Sequence, residues 1–329
     1  MGGKSGRSWL SPALLRARLI RAVPLLAIMA LPAVAVPSRA ELPAATLDVG
    51  PGKLYTSPSE AAAKAKDGDH IEIAPGTYID CAVWRANNLV IEGTGPGVVI
   101  TDKTCQGKAL FVITGNDTTV RNLTLTRARV ADMNGAGIRQ EGRNLTVDGV
   151  KFIDNQDGIL GASSPQSTVI IRNSDFERNG ICAQSCAHGI YFNELALLRV
   201  EHSRFFETRQ GHHIKSRAAR TEVIGCDISD GPNGTASYLI DVPNGGSVLV
   251  RDSTLEKGPK AENHTAAIAI GEESITQPTE KIFIENNTLR NDNEHQTAFV
   301  WNATATPAIL KGNKLSGPTT ALNGDGEVH

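Results

Sequence analysis

A run of basic residues at positions 211–217 combines the side chains and the spacing that proton transfer beside an anionic group requires. It reads Gly-His-His-Ile-Lys-Ser-Arg. If the segment is a strand with its isoleucine inside, side-chain alternation turns His213, Lys215 and Arg217 outward together. Outward charges are usually only solvated, but four of the eight histidines of the chain fall between positions 188 and 213. This density indicates a functional site.

The chemistry that suits such a site is the removal of a proton beside a carboxylate, as in a uronate sugar. That reaction needs a group that neutralises the carboxylate, a base for the ring proton and, for chain cleavage, an acid for the leaving oxygen. We expect Arg217 to bind the carboxylate through two hydrogen bonds. Lys215 is the expected base, because the neighbouring Arg217 charge would lower the pKa of Lys215. Tyr191 or His213 is the expected acid, and Asp241 is expected to orient Lys215.

Self-similar hexads that run from residue 118 to the end of the chain give the elements that must position these side chains. Each hexad has an aliphatic residue, a mostly polar one, then Asn, Gly, His or Asp, two variable positions and a large apolar residue. The third position suits a sharp turn, because Asn and Gly tolerate left-handed backbone angles. The eight hexads are 120–125, 147–152, 171–176, 200–205, 223–228, 250–255, 284–289 and 310–315.

The spacing of the hexads, 23 to 34 residues, indicates loops of unequal length on a constant core. A second β-branched segment follows each hexad, so a coil has two or three short strands, which predicts a parallel β-solenoid. The alternative, a β-sandwich, would show hairpins instead of a hexad period. The sequence therefore predicts an all-β, single-domain parallel β-helix with coils from about 69 to 317.

Stacking of consecutive coils should gather polar residues from neighbouring strands into one patch. The candidate catalytic residues of this patch are Lys215, Arg217, His213, Tyr191 and Asp241, and the candidate substrate-binding residues are His188, His212, Asn193 and Arg139.

A short helix is predicted before the first coil. Ser57-Pro58-Ser59-Glu60 reads as a capping box with Pro at the first helical position, and it opens an alanine-rich stretch to about residue 66. A helix over about 58–66 would cover the open strand edges of the first coil.

The capping segment and the following Asp-Gly-Asp-His-Ile-Glu-Ile-Ala-Pro-Gly-Thr-Tyr at 67–78 resemble the opening of many right-handed β-helix proteins of the pectate-lyase-like superfamily. With the hexads, the resemblance covers about residues 45–317, and it implies a right-handed helix. The segments 237–246 and 268–273 resemble those of a bacterial subgroup with this fold. The superfamily includes pectate, alginate and chondroitin lyases, mannuronan epimerases and polygalacturonases.

No catalytic motif of these families transfers in full. Polygalacturonases combine three clustered Asp with Gly-His-Gly and Arg-x-Lys, whereas this chain has Gly211-His-His213, the reversed Lys215-Ser-Arg217 and Asp241 alone. The Arg-x-Pro-x-x-Arg motif of pectate lyases is absent. The resemblance therefore implies a polysaccharide-active fold and leaves the substrate open.

The first 40 residues read as a signal peptide. Five cations precede an apolar run from about 22 to 36, and Ser38-Arg39-Ala40 suggests cleavage before Glu41. The run is shorter than the roughly 20 residues that span a bilayer, so we expect residues 41–329 to be a secreted or periplasmic domain without a membrane span. Without those five cations the formal charge changes from −2 to −7, and no basic footprint for nucleic acid remains.

Cysteine spacing favours two disulfides in such an oxidising compartment. Cys81 and Cys105 are one coil apart, and Cys182 and Cys186 share a loop. Cys226 occupies a repeat position and is expected to be a buried free thiol. No Cys and His spacing typical of a metal cluster is present, so no metal site is expected.

Calcium is considered as a cofactor only through a further acidic pair. Glu272 and Glu273 could hold the ion together with Asp241.

Three functional classes remain. The favoured one is an exported lyase or epimerase that acts on an acidic polysaccharide, as a monomer. A glycan-binding protein would need a ladder of exposed rings, but aromatic residues make up only 5% of the chain, and only Tyr191 and Trp301 share a strand column. A structural protein of the cell envelope would have no local cluster of polar side chains.

Overall fold

The hexads form the corner between two of three parallel sheets. In the computed structural model, which describes residues 44–329, the third residue of every hexad has a left-handed backbone, with φ between 46° and 67°. The turn residues are Asn122, Gly149, Asn173, His202, Gly225, Asp252, Asn286 and Gly312. The predicted sharp turn at the third position is therefore confirmed in all eight hexads.

Each coil contributes one strand to each of three sheets, here called A, B and C in chain order. The strands of sheet A are Thr46–Val49, His70–Ile73, Val90–Gly93, Thr118–Arg121, Leu145–Asp148, Ser164–Arg172, Leu195–Glu201, Arg220–Ile224, Ser247–Arg251, Ile282–Glu285, Ala308–Lys311 and Gly326–Val328. Those of sheet B are Gly76–Asp80, Val98–Asp102, Thr124–Thr126, Lys151–Ile153, Asp175–Glu177, Arg204–Phe206, Asp227–Ser229, Thr254–Lys257, Thr288–Asn291 and Lys314–Ser316. Those of sheet C are Ala82–Trp84, Ala109–Ile113, Ala136–Gln140, Asp157–Gly161, Ile190–Phe192, Ile214–Ser216, Ile240–Val242, Ala266–Ile270, Thr297–Asn302 and Thr319–Gly324.

All strand pairs within these three sheets are parallel, as in the pair of Ile190–Phe192 with Ile214–Ser216. A small antiparallel pair, Ile181–Cys182 with Cys186–Ala187, lies in one loop. The predicted solenoid is confirmed, and the described strands extend beyond the predicted coils at both ends.

Ladders of like side chains fill the interior. Phe152, Phe176 and Phe205 close three successive hexads, and their rings stack at centroid distances of 4.6 and 4.5 Å. Burial of such rings is a main source of stability in a solenoid, since each coil packs only on its neighbours. Cys226 is buried in the same interior as a free thiol, as predicted, and burial raises its pKa to about 11.

The described part of the chain contains a single helix, Pro58–Ala62, which is shorter than the predicted 58–66. Ser57 makes no side-chain cap bond. The predicted capping box is therefore wrong: Glu60 instead accepts hydrogen bonds from the backbone N–H and the hydroxyl of Thr56, at 2.7 and 3.0 Å. The buried Asp69 accepts the Lys66 N–H at 2.8 Å, so that stretch forms a turn. The covering role of the helix stays a prediction.

Both predicted disulfides are present, Cys81–Cys105 and Cys182–Cys186. Among the described residues, no helix has the length and apolar character needed to cross a membrane. The predicted signal peptide, residues 1–40, lies outside the described residues.

Candidate functional site

The register of sheet C brings side chains from three consecutive coils into one column. Tyr191 pairs with Lys215, and Lys215 pairs with Asp241. The column continues through Ala269 to Trp301. The predicted neighbourhood of Tyr191, Lys215 and Asp241 is therefore confirmed.

Lys215 is held between two carboxylates. Its Nζ lies 2.7 Å from Asp241 Oδ2 and 2.9 Å from Glu273 Oε1, and only 8% of its side chain is exposed. Burial opposes its charge, but the two carboxylates outweigh burial and raise the pKa of Lys215. The expectation that the pKa of Lys215 is lowered is therefore wrong, because these carboxylates compensate the Arg217 charge, and the role of Lys215 as a base stays a prediction.

Arg217 uses all three guanidinium nitrogens. Nε donates to the Tyr191 hydroxyl at 2.9 Å, one terminal nitrogen donates to the side-chain oxygen of Asn244, and the other lies 2.7 Å from Glu273 Oε2. The Tyr191 hydroxyl in turn donates to Asn193 Oδ1 at 3.0 Å. The plane of the guanidinium is thus fixed by neutral partners on two sides.

One carboxylate, that of Glu273, bridges both cations. It lies on the loop that follows the Ala266–Ile270 strand, and 45% of its side chain is exposed. We call Lys215, Arg217, Tyr191, Asp241 and Glu273 the sheet C cluster. Its two cations bind a single carboxylate together, whereas the sequence predicted that Arg217 alone would bind the carboxylate of a uronate.

Glu272 is a third acidic residue at this place, next to Asp241 and Glu273 of the cluster. Asp241 Oδ1 and Glu272 Oε2 are buried, and no N–H or O–H group within residues 44–329 donates to either atom. A proton on Glu272 would give both oxygens a hydrogen-bond partner, because protonated Glu272 would donate a hydrogen bond to Asp241. Burial, followed by this hydrogen bond, raises the pKa of Glu272 to about 8.

These acidic side chains can approach one another as the ligands of a cation would. One carboxylate oxygen each from Asp241, Glu272 and Glu273 lies within 4.8 Å of the others. The Lys215 ammonium already bonds to two of the three carboxylates, and its charge would repel a divalent ion at the same place. The donor set therefore fits an ammonium group better than calcium.

His188 and His212 stack with Tyr238 beside the cluster. The centroid distances are 4.9 and 5.2 Å, and both interplanar angles are 14°. His188 Nδ1 accepts the His212 N–H, and His212 Nδ1 accepts the Tyr238 N–H. Each imidazole that accepts at Nδ1 carries its proton at Nε2 when neutral.

Both imidazoles are nearly buried, so burial, together with the charges of Lys215 and Arg217, lowers the pKa of His188 to about 3. Burial also lowers the pKa of His212 well below its ordinary value. His212 directs its Nε2 at Asp241 Oδ2, 3.3 Å away. The structure thus places the two predicted substrate-binding histidines beside the cluster, both with lowered pKa values.

His213 does not face the surface, and the expectation that it does is wrong. It is fully buried, with Nε2 2.9 Å from Asp230 Oδ1 and Nδ1 2.8 Å from the Thr208 hydroxyl. The strand begins only at Ile214, so the alternation that turns Lys215 outward does not extend back to residue 213.

Asn193 joins the site, whereas Arg139 lies further along the rod. Asn193 accepts a hydrogen bond from the Tyr191 hydroxyl and donates one to the Gly161 carbonyl at 2.9 Å. Arg139 is in register with Leu160, which is in register with Tyr191, so one coil separates Arg139 from the cluster. It belongs to the site only if a bound chain extends along the sheet.

Sequence reasoning missed Asn244 and the true role of Glu273. Both lie in loops after sheet C strands, where no repeat fixes the register. The only available signal was the acidic Glu-Glu pair, which the sequence associates with calcium.

Comparisons with known proteins agree with this architecture. A family model described as a right handed beta helix region matches residues 78–228. No curated protein sequence matches at a significant level.

Two solved structures to which the chain is similar have low sequence identity to it. An alginate lyase from Paenibacillus sp. str. FPU-7 aligns with a TM-score of 0.64 and 18% identity over 86% of this chain and 99% of that one. The pectin methylesterase from carrot aligns with a TM-score of 0.48 and 12% identity over 87% and 89%. The chain is therefore a parallel β-helix, right-handed over the matched residues 78–228, and it shares this fold with the alginate lyase.

Proposed function

We propose that this protein acts on an acidic, uronate-containing polysaccharide as a lyase or an epimerase. The observation that carries the proposal is the Glu273 carboxylate, which Lys215 and Arg217 bind together at 2.9 and 2.7 Å. A uronate carboxylate in the same place would have its charge neutralised by two positive groups. The adjacent ring proton would then become more acidic.

The proton-transfer roles follow from the charge states of the cluster. Lys215 and Arg217 stay positive and neutralise the carboxylate. Glu272, with a pKa raised by burial to about 8, replaces Lys215 as the proposed base, because a carboxylate with a pKa near the working pH is effective in proton abstraction. Tyr191 keeps the proposed role of acid, since its hydroxyl lies beside Arg217.

The two reactions share their first step. Glu272 takes the ring proton beside the carboxylate, and the electron pair moves toward the carboxylate that the cations hold. In a lyase the electrons then form a ring double bond, the glycosidic carbon–oxygen bond breaks, and Tyr191 protonates the leaving oxygen. In an epimerase a proton returns to the opposite face of the ring.

The similarity to an alginate lyase gives the fold and not the substrate. Export to the periplasm or the cell exterior fits a polymer substrate, and two disulfides support that location. N-terminal sequencing of the protein recovered from expressing cells tests it, with Glu41 as the expected first residue.

A non-catalytic glycan-binding or envelope protein is the second candidate. The observation that favours it is the raised pKa of Lys215, which opposes its predicted role as a base.

A panel of uronate polymers separates the two candidates. A lyase produces unsaturated ends that absorb ultraviolet light, and an epimerase incorporates deuterium from heavy water beside the carboxylate. A binding protein does neither, yet it retards the polymer in affinity electrophoresis.

A further inference from the structure

We propose that Lys215 and Arg217 form a carboxylate-binding cradle that Glu273 fills in the free protein and leaves when an external carboxylate binds. The inference rests on the proposed function for the identity of that external group, a uronate. The exchange itself needs no catalysis, so it can be tested without a polymer.

Each cation has one enclosed partner and shares one exposed partner. Lys215 bonds to Asp241, which is fully buried, and Arg217 bonds to Asn244, of which 7% is exposed. Glu273 is the partner that both share, and nearly half of its side chain is exposed. The enclosed partners fix the two cations in place, and the exposed one can be exchanged.

The exchange requires rotation of a side chain and no movement of the loop. The backbone N–H groups of Glu273 and Ser274 donate to the Pro243 carbonyl at 3.1 and 3.2 Å. The Asn244 side chain donates to Ser274 Oγ at 2.8 Å, and the backbone carbonyl of Asn244 accepts from the Gln277 N–H at 3.0 Å. These bonds hold the loop on the preceding coil. Because the carboxyl group borders solvent, it can turn outward while they remain.

The charge balance then favours one incoming anion. With Glu273 turned away, Lys215 and Arg217 contribute two positive charges, and Asp241 contributes one negative charge. The other groups around it, Tyr191, Asn244 and Glu272, are uncharged at neutral pH, since a pKa raised to about 8 keeps Glu272 protonated. The opened cradle therefore carries one unit of excess positive charge, which one carboxylate neutralises.

Exchange gives the cradle a chemical selectivity. A neutral sugar or a methyl-esterified uronate cannot replace the two ion pairs that Glu273 makes, so neither displaces it. A free carboxylate replaces both. Glu273 competes with that carboxylate for the cradle. The apparent affinity for the carboxylate is therefore its affinity for the empty cradle multiplied by the fraction of time for which the cradle is empty.

Chemical rescue tests the exchange. We would measure the thermal unfolding midpoint of the wild-type chain and of Glu273→Ala in sodium acetate and in sodium chloride at equal ionic strength. Acetate should raise the midpoint of Glu273→Ala above its value in chloride, and it should have little effect on the wild-type chain, whose cradle is filled. Equal midpoints in acetate and chloride for Glu273→Ala would overturn the proposal.

Glu177→Ala is the matched control. Glu177 also contacts two cations, Arg178 and Arg204, but 37% and 43% of their side chains are exposed, against 8% and 21% for Lys215 and Arg217, so water and salt screen the charges that the loss of Glu177 leaves. Acetate should therefore rescue Glu273→Ala and not Glu177→Ala. Equal rescue of both variants would reduce the effect to general screening and would contradict a built cradle.

Calorimetry with galacturonate and its methyl ester gives a second readout. Glu273→Gln, which keeps the shape of the side chain, should bind galacturonate roughly fivefold more tightly than the wild-type chain, as expected from the loss of an exposed ion pair. Neither the wild-type chain nor Glu273→Gln should bind the methyl ester. If acetate rescues Glu273→Ala but no polymer is modified, the cradle stands and the proposed function fails. Polymer modification without acetate rescue of Glu273→Ala would contradict the exchange at the cradle and leave the proposed function standing.

Discussion

The Lys215 ammonium lies 2.7 Å from Asp241 Oδ2, and the two residues are register partners on consecutive coils. Asp241 is fully buried, and its Oδ2 also lies 3.3 Å from His212 Nε2. One carboxylate thus raises the pKa of Lys215 and borders the stacked rings.

Replacement of Asp241 by Asn should destabilise the protein by about 3–5 kcal/mol, because a nearly buried ammonium would lose its enclosed counter-ion. Glu273→Gln removes the exposed partner of the same lysine and should cost less than about 1 kcal/mol. Denaturant unfolding of both variants measures the difference. Equal losses of unfolding free energy in the two variants would show that the buried Lys215–Asp241 pair stabilises the protein no more than the exposed pair with Glu273.

Arg217→Ala should lower the rate of polymer modification on the order of a hundredfold or more, since it removes a donor from the developing negative charge. Arg217→Lys should recover little of this loss, because an ammonium cannot contact Tyr191, Asn244 and the carboxylate at once. Initial rates on the best polymer of the panel measure the effect. Arg251→Ala, at an exposed arginine of sheet A, is the control and should leave the rate unchanged.

Glu272 should give the reaction its pH dependence. Because burial raises the pKa of Glu272 to about 8, the base is mostly protonated at neutral pH, and the rate should rise as the pH increases through that value. Glu272→Gln should abolish most of the rate at every pH. A profile with no rise in the alkaline range would contradict the assignment of Glu272 as the base.

The same raised pKa has an effect on folding that does not depend on catalysis. A group that binds its proton more tightly in the folded chain stabilises the fold at low pH, and this contribution is lost as the pH rises through about 8. Burial also raises the pKa of Asp157 to about 8. Unfolding free energies measured between acid and mildly alkaline pH should therefore fall less steeply for Glu272→Gln than for the wild-type chain, with Asp157 responsible for the remaining slope.

The disulfides should contribute unequally to stability. Cys81–Cys105 closes a loop of 24 residues, whereas Cys182–Cys186 closes one of four. Loop-closure entropy predicts a loss of about 3 kcal/mol for the double Cys→Ser variant of the first pair and a smaller loss for the second. Denaturant unfolding of the two double variants compares them, and the opposite ranking would show that strain or local packing outweighs loop length.

Much of the fold can be predicted from the sequence because the solenoid repeats one local rule. The turn at Asn122 recurs in every hexad, and strand alternation then places Lys215 beside Tyr191. The same rule fails for His213, which precedes its strand. It also gives no information on Glu273, which reaches Lys215 from a loop 58 residues further along the chain.

The charge state of Lys215 was mispredicted for the same reason. The sequence places Arg217 two residues away, and a pKa prediction from that neighbour alone has the wrong sign. The compensating carboxylates, Asp241 and Glu273, come from the next coil and its loop. To predict the charge states in a site that is built from several coils, one therefore needs the contacts made by the loops as well as the register of the strands.

The most direct test of the account is a proton magnetic resonance experiment on a uronate polymer incubated with the protein in heavy water. We expect the signal of the ring proton beside the carboxylate to disappear with the wild-type chain, through elimination or exchange, and to persist with Arg217→Ala and Glu272→Gln. Persistence of this signal with the wild-type chain, across polymers built from each of the common uronates, would contradict the claim that Glu272 removes that proton beside the sheet C cluster.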